Sequence, residues 1–144
     1  MIGRREFASA GIAVGAMAAM GSSVKAADAQ HAHHNDAMME CAKACSDCQR
    51  ACDSCSTHCA HQVKDGKAEH MATLATCQDC ADFCAAASQI VSRGGPFSSE
   101  ICKSCAEACT KCAAACEKFP NDQHMTMCAE ECRKCEKACR GMVA

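Results

Sequence analysis

The chain has no tryptophan, no tyrosine, four phenylalanines and a single leucine among its 144 residues. Large apolar side chains of these types fill the interiors of most globular proteins. The hydrophobic fraction of 49% comes mainly from cysteine, alanine and the first 26 residues. The sequence therefore excludes a conventional aliphatic and aromatic core, and another kind of side chain has to fill the interior.

A strong excess of positive charge is also missing. The 15 lysines and arginines are outnumbered by 17 aspartates and glutamates, which gives a formal net charge of −2 and a sequence pI near 6.4. Proteins that bind nucleic acid or anionic membranes usually carry a basic patch. We therefore expect neither nucleic acid nor a membrane among the partners of the folded domain.

The N-terminus has the features of an export signal. Paired Arg4 and Arg5 precede a mildly apolar run from Ala8 to Val24, and small residues surround a predicted cleavage after Ala26. The run is shorter and less apolar than the roughly 20 residues of a membrane span. We predict a twin-arginine-type signal peptide over residues 1–26, with the twin-arginine translocase as a partner and the periplasm as the location.

Cysteine is the residue that the chain has in abundance, with 18 copies. The cysteines form four groups, and successive cysteines within a group are alternately three and four positions apart. This spacing places side chains in one stripe along an amphipathic helix. The groups are Cys41, Cys45, Cys48, Cys52, Cys55 and Cys59; Cys77, Cys80 and Cys84; Cys102, Cys105, Cys109, Cys112 and Cys116; and Cys128, Cys132, Cys135 and Cys139.

Each group therefore predicts one helix, with turn and capping residues between the groups. We predict an all-α fold, an antiparallel up-down-up-down four-helix bundle over residues 35–142 with a cysteine-lined core, preceded by a flexible His-containing tail at residues 27–34. The expected helices run from a cap at Asn35 or Asp36 to about Gln62, from about Lys67 to Ser92, from a cap at Ser98 or Ser99 to Phe119, and from a cap at Asn121 or Asp122 to about Gly141.

Disulfides and plain apolar packing are the two structural explanations for such cysteines. Cysteines that follow one another on the same helical face have diverging Cβ atoms, which makes disulfide geometry hard to reach. Buried thiols can serve as small hydrophobes, but 18 of them would leave an underpacked interior. Bound metal is the better explanation for the pattern.

The charge of the bound metal favours Cu(I). A Zn²⁺ ion with four thiolates carries two uncompensated negative charges, which are costly to stack inside a bundle. Iron–sulfur clusters need a ferredoxin-type cysteine spacing, which is missing. Cu(I) is soft and accepts low coordination numbers, so thiolates that each bridge two ions would give a nearly neutral core of on the order of 18 Cu(I). Repeated Cys-x3-Cys pairs such as Cys41 and Cys45 could each clamp one ion.

One end of the predicted bundle gathers further soft ligands. We call it the Met/His pole, where the end of helix 1 meets the starts of helices 2 and 4. Imidazole and thioether bind Cu(I) more weakly than thiolate does, which suits a place where metal is accepted and handed on. The residues expected there are His58, His61, His70, Met71, His124, Met125 and Met127. The opposite pole, with Met38, Met39 and Met142, is the weaker candidate.

The four cysteine stripes, the Cys-x3-Cys pairs and the export signal resemble the bacterial copper storage protein family, over about residues 35–142. The resemblance implies four-helix bundles that fill their core with Cu(I), in intracellular and exported branches. The exported kind carries a twin-arginine signal and forms tetramers, so a homotetramer is expected here. The count of 18 cysteines is more typical of the intracellular branch.

The function expected from the sequence is storage or buffering of many Cu(I) ions by cysteine thiolates, for storage, supply or detoxification. A periplasmic copper chaperone shares the chemistry, but a carrier of one ion needs two or three sulfurs. A general buffer for Zn²⁺ or Cd²⁺ is the other alternative. We expect no enzyme activity, because no nucleophile and base stand apart from the repeating stripes.

Overall fold

The computed structural model describes the backbone of residues 24–143 and the side chains of residues 36–143. Four long helices and one short 3-10 turn make up the described part. Helix α1 covers Val24–Lys64, α2 covers Met71–Ser92, α3 covers Ser98–Cys116 and α4 covers Gln123–Gly141. The 3-10 turn, Ala68–His70, leads into α2. This is the predicted all-α architecture.

The helices pack in a square in which sequence neighbours are also neighbours in space. Helix α1 contacts α2 and α4, and α3 contacts the same two helices. Short connections force consecutive helices to run antiparallel, so the chain goes up, down, up and down around one axis. None of the described helices is long and apolar enough to cross a bilayer.

Two glycines make the short turns possible. Gly66, between α1 and α2, has φ +89°, and Gly94, between α2 and α3, has φ +61°. Residues with a Cβ rarely adopt this left-handed backbone conformation. At Gly94 a Cβ would also lie 3.1 Å from the Met38 side chain of α1. The turns therefore depend on glycine for conformation and, at Gly94, for space.

The beginning of α1 differs from the prediction. Residues 27–34, expected to be a flexible tail, belong to α1, so neither Asn35 nor Asp36 caps the helix. The physical reason is that this stretch is rich in alanine and contains no glycine or proline that would end a helix. The predicted signal peptide lies outside the described residues except for its last three positions, and it stays a prediction.

The other helix starts follow local hydrogen bonding. The Asp122 side chain accepts hydrogen bonds from the backbone amides of His124 and Met125, so Asp122, one of the two predicted candidates, is the cap of α4. Phe97 occupies the cap position of α3, where Ser98 or Ser99 was expected. Instead of accepting from a helix amide, the Ser98 hydroxyl donates to the Gly95 carbonyl at 2.6 Å, which ties the turn to the first residue of the helix.

Candidate metal centre

All 18 cysteines are buried and free. The shortest contact between two cysteine sulfurs is 3.5 Å, between Cys45 on α1 and Cys139 on α4. A disulfide bond is about 2.05 Å long, so this distance corresponds to two separate thiols. The rest of the core is made mainly of alanine, with Val91 and Met125 as the larger apolar side chains. Sulfur therefore occupies the interior that large hydrophobic residues fill in other bundles.

Most sulfur–sulfur contacts join different helices, and several cross the bundle diagonally. Cys52 on α1 lies 3.8 Å from Cys112 on α3, and Cys84 on α2 lies 3.9 Å from Cys135 on α4. Within one helix, the Cys48 and Cys52 sulfurs are 3.9 Å apart. The Cys-x3-Cys pairs therefore belong to a network that spans all four helices.

The sulfurs are spaced like the donor atoms of metal sites. Two sulfurs bonded at about 2.3 Å to one metal are roughly 3.8 Å apart at a tetrahedral angle and roughly 4.6 Å apart when linear. Several quartets of cysteine sulfurs lie within 4.8 Å of one another. They include Cys45, Cys105, Cys135 and Cys139; Cys48, Cys80, Cys84 and Cys109; Cys48, Cys52, Cys80 and Cys132; Cys52, Cys112, Cys128 and Cys132; and Cys55, Cys77, Cys116 and Cys128.

These quartets share members. Cys48, Cys52 and Cys128 each belong to two of them. Separate tetrathiolate sites for Zn²⁺ would need four ligands of their own and would bury two negative charges each. Shared sulfurs suit bridging thiolates, in which one sulfur binds two monovalent soft ions. The arrangement therefore favours a continuous chain of Cu(I) over a row of isolated divalent sites.

The thiols differ in how readily they lose a proton. Burial raises the pKa of Cys59 and raises the pKa of Cys102 to about 12. Deeper in the network, hydrogen bonds with Cys109 and Cys112 lower the pKa of Cys80. Metal binding to the first kind of thiol has to displace a proton, which couples metal affinity to pH.

At the Met/His pole, Met125 and His70 cover the end of the cysteine network. The fully buried Met125 sulfur accepts hydrogen bonds from Cys55 at 3.4 Å and Cys59 at 3.8 Å. The buried His70 ring stacks on Phe119 with centroids 4.1 Å apart. Its Nδ1 atom is buried and has no hydrogen-bond partner among the side chains of residues 36–143 and the backbone of residues 24–143. A nitrogen and a thioether sulfur thus lie in the interior beyond the last cysteines.

A second group of polar residues surrounds these two. His58 Nε2 lies 2.7 Å from Asp122 Oδ2, and the His58 ring stacks on His124 with centroids 4.7 Å apart. His124 Nε2 lies 3.1 Å from the Ser54 hydroxyl. Burial raises the pKa of Asp122, but the contact with His58 and the hydrogen bonds from the backbone amides of Met125 and His124 together outweigh it and hold the pKa below its usual value. The Asp122 carboxylate thus links the α4 cap to the histidines.

The structure brings together only part of the ligand set predicted for this pole. His58, His70, His124 and Met125 form a cluster, as the contacts above show. His61, Met71 and Met127 are exposed. The sequence analysis did not assign Phe119 to the pole and treated Asp122 only as a cap. A cap residue directly before His124 and Met125 was the available signal for Asp122.

The opposite pole is closed by hydrocarbon. The cysteine stripe of α2 ends at Cys84 and continues as Ala87 and Val91, which are fully buried. Met38 and Met142 pack against this part of the core and are partly buried. The network of sulfurs therefore ends in an apolar plug at this end, in agreement with its ranking as the weaker candidate.

A four-helix bundle whose core is lined by free, mutually adjacent cysteines defines a class of multi-thiolate metal-binding proteins. The model of the family described as Csp, copper storage protein, matches residues 32–144. The chain therefore belongs to the copper storage protein family, as the cysteine pattern predicted, and its function is copper storage. No curated protein matches the chain.

Solved structures of copper storage proteins share the fold. The Cu(I)-bound copper storage protein BsCsp3 is 35% identical, with a TM-score of 0.66 over 72% of this chain and 95% of its own. A cytosolic copper storage protein from Streptomyces lividans with five coppers is 29% identical, with a TM-score of 0.72 over 78% and 96%. The S. lividans protein Ccsp with 10 copper equivalents is 30% identical, with a TM-score of 0.70 over 75% and 84%.

These comparisons correct the expected location. The sequence analysis placed the protein in the periplasm, whereas the similar S. lividans protein with five coppers is cytosolic. The physical reason is that a core of free thiols needs no oxidising compartment for its assembly, and thiols persist most readily where the environment is reducing. The periplasmic assignment is therefore wrong.

Proposed function

We propose that the core cysteines hold Cu(I) as a continuous thiolate-bridged chain along the bundle axis. The observation that carries this proposal is the sharing of sulfurs between adjacent quartets. If each thiolate bridges two ions and each ion binds two thiolates, capacity approaches on the order of 18 Cu(I) per chain. Such a protein stores copper for supply or detoxification. The BsCsp3 and S. lividans proteins, which carry copper on the same fold, support the proposal.

Anaerobic titration of the reduced protein with Cu(I) tests this capacity. We expect the ultraviolet thiolate-to-copper absorbance to rise until well over about ten ions are bound, because a thiolate that bridges two ions raises the number of ions per sulfur. A competing chelator in the same solution ensures that only protein-bound copper is counted. A plateau at one or two ions would contradict storage and would favour the alternative of a copper chaperone.

A general Zn²⁺ or Cd²⁺ buffer is the second alternative. Divalent ions in tetrathiolate sites cannot share sulfurs as extensively, so they should saturate at far fewer ions than Cu(I). Adding Cu(I) to the zinc-loaded protein should release the zinc completely. Retention of zinc against excess Cu(I) would support the divalent buffer.

At the Met/His pole we propose that Met125 and His70 bind the outermost copper ion. The support is geometric: the Met125 sulfur contacts Cys55 and Cys59, and the buried His70 Nδ1 has no hydrogen-bond partner within the described part of the chain. Both are neutral soft or borderline ligands for Cu(I). The exposed His61 and Met71, together with His124, would contact copper only transiently on its way to or from this site.

The remaining proposals concern activity and assembly. We propose no catalytic role, because all 18 cysteines are buried and none has the exposed setting of a reactive thiol. A homotetramer is proposed from the family resemblance, and light scattering of the purified protein tests it. The twin-arginine translocase stays a prediction that rests on residues 1–26.

A further inference from the structure

Cys128 can be reached from the side of the bundle. It lines a groove of about 180 Å³ between α1 and α4, together with Ala51, Ser54, His124 and Met127. Sixteen of the 18 cysteines are no more than 1% exposed, whereas Cys128 and Cys41 are each 2% exposed. The small Ala51 and Ser54 side chains line the same groove on the α1 side.

The sulfurs at the end of the bundle are better covered than Cys128. Cys55 and Cys59 have 0% exposure, and so does Met125, which lies beyond them. His70 is 4% exposed and stacks on Phe119. An ion arriving along the bundle axis would have to displace these packed side chains, whereas the side groove is already open.

The rim of the groove carries donors that suit a soft cation. Met127 is 59% exposed and His124 is half-buried, and both line the groove. Thioether and imidazole bind Cu(I) without first losing a proton when the imidazole is neutral. Glu130 and Glu131 also line the groove; Glu131 is paired with Lys134, so Glu130 supplies the negative charge that attracts a monovalent cation.

Two other cysteines are reached from grooves but lack such a rim. Cys80 lines a groove between α2 and α3, and Cys41 lines one between α1 and α4 at the opposite pole. The first groove contains neither methionine nor histidine. The second has Met142, which is partly buried against the core. The Cys128 groove therefore has the strongest combination of access and ligands.

Cys128 also holds a central position in the network of sulfurs. It belongs to one quartet with Cys52 and to another with Cys55. A copper ion bound to Cys128 can therefore pass by thiolate exchange in either direction, toward the Met/His pole or toward the middle of the bundle. Each transfer forms one copper–sulfur bond and breaks another, with no change in oxidation state.

We propose that the groove between α1 and α4 is a side port for Cu(I), in which Met127 and His124 receive the ion and pass it to Cys128. The port is separate from the outermost site formed by Met125 and His70. The inference rests on the proposed storage of Cu(I). Capacity and uptake rate are therefore measured separately. If the protein does not store Cu(I), its copper capacity is low. If it stores Cu(I) but the groove is not the port, filling the groove leaves the uptake rate unchanged.

The test is to fill the groove without removing a ligand. In the full chain, Ala51→Leu should slow uptake of the first equivalents of Cu(I), supplied as the acetonitrile complex and followed by stopped-flow absorbance, by at least about threefold. Total capacity should stay the same. The matched control is Ala86→Leu, since Ala86 lines a groove between α2 and α3 that contains no cysteine. Equal uptake rates for Ala51→Leu and Ala86→Leu would overturn the proposal.

A second measurement uses the unaltered protein and so does not depend on the folding of a variant. The reduced, copper-free chain is treated with less than one equivalent of iodoacetamide, whose methylene carbon is attacked by a thiolate with loss of iodide. Peptide mass spectrometry then locates the modified cysteine. We expect Cys128 to be alkylated before Cys55 and Cys59. Preferential alkylation of Cys55 or Cys59 would overturn the side port.

Discussion

Among single residues, Met125 has an unusual place, because it is a methionine buried at the end of a core made mostly of cysteine and alanine. A thioether cannot be deprotonated and is a weaker ligand than a thiolate. It can therefore hold an ion that is about to leave, whereas the thiolates below it retain theirs. The weaker binding of the thioether and the stronger binding of the thiolates therefore give the two sulfur types different roles.

The Met125→Leu variant isolates the thioether from the packing. Leucine has a similar volume, so the stability of the protein should fall by less than about 1.5 kcal/mol. Copper capacity should fall by about one ion, while removal of copper by an external chelator should slow by a larger factor, since no soft ligand remains outside Cys55 and Cys59. Both are measured on the loaded protein under anaerobic conditions.

Met71→Leu is the control for this prediction, because Met71 is at the same pole but 53% exposed. It should leave capacity unchanged and slow removal by a smaller factor than Met125→Leu does, because Met71 contacts copper only transiently. If capacity and removal rate in Met125→Leu fell in the same proportion, Met125 would be an ordinary storage ligand.

Among the helices, α1 contributes the most sulfur, with six of the 18 cysteines, and α2 the least, with three. Replacing all six in α1 by alanine should remove at least about a third of the copper capacity, and more where lost sulfurs had bridged two ions. Alanine is the best helix former, so far-ultraviolet circular dichroism should retain most of the helix signal.

The three-cysteine replacement in α2 provides the graded comparison. It should remove about half as much copper as the α1 replacement if sulfurs contribute equally. Titration of both variants measures the ratio. An α1 variant that binds as much copper as the parent protein would refute cysteine storage in the core.

The elements also show what the sequence could and could not predict. The three-and-four spacing predicted each helix and its buried face, and Asp122 was predicted as a cap because its carboxylate directly precedes the α4 amides. The start of α1 was not predicted, because residues 27–34 contain no cysteine stripe that would indicate a helix. They are helical because no glycine or proline ends the helix there. The contact of Cys45 with Cys139 was not predictable either, since the register between helices is set by packing and turns.

In the whole molecule, the copper-free state carries its thiols in a shielded interior. The pKa of Cys102 is raised from 9.0 to about 12, and the pKa of Cys59 is also raised. Below about pH 9 these thiols are protonated in both the folded and the unfolded state, and their contribution to the stability of the folded state is fully present. That contribution is lost as the pH rises from the unfolded pKa through the folded one.

We therefore expect the copper-free protein to lose stability between about pH 9 and about pH 12, the ordinary and the raised pKa of Cys102. Urea unfolding of the reduced protein at several pH values, followed by circular dichroism, measures this loss. The Cys102→Ala variant should lose less over the same range, which separates the thiol contribution from lysine titration. An identical pH dependence for the variant and the parent would contradict the assignment to Cys102.

The sulfur contacts that cross between helices have a mechanical consequence. An ion held by cysteines from α1 and α3, or from α2 and α4, cross-links two helices in addition to being stored. Filling the bundle would tie its four helices together at successive levels, and emptying it would loosen them again. The rigidity of the backbone would then depend on the amount of copper held.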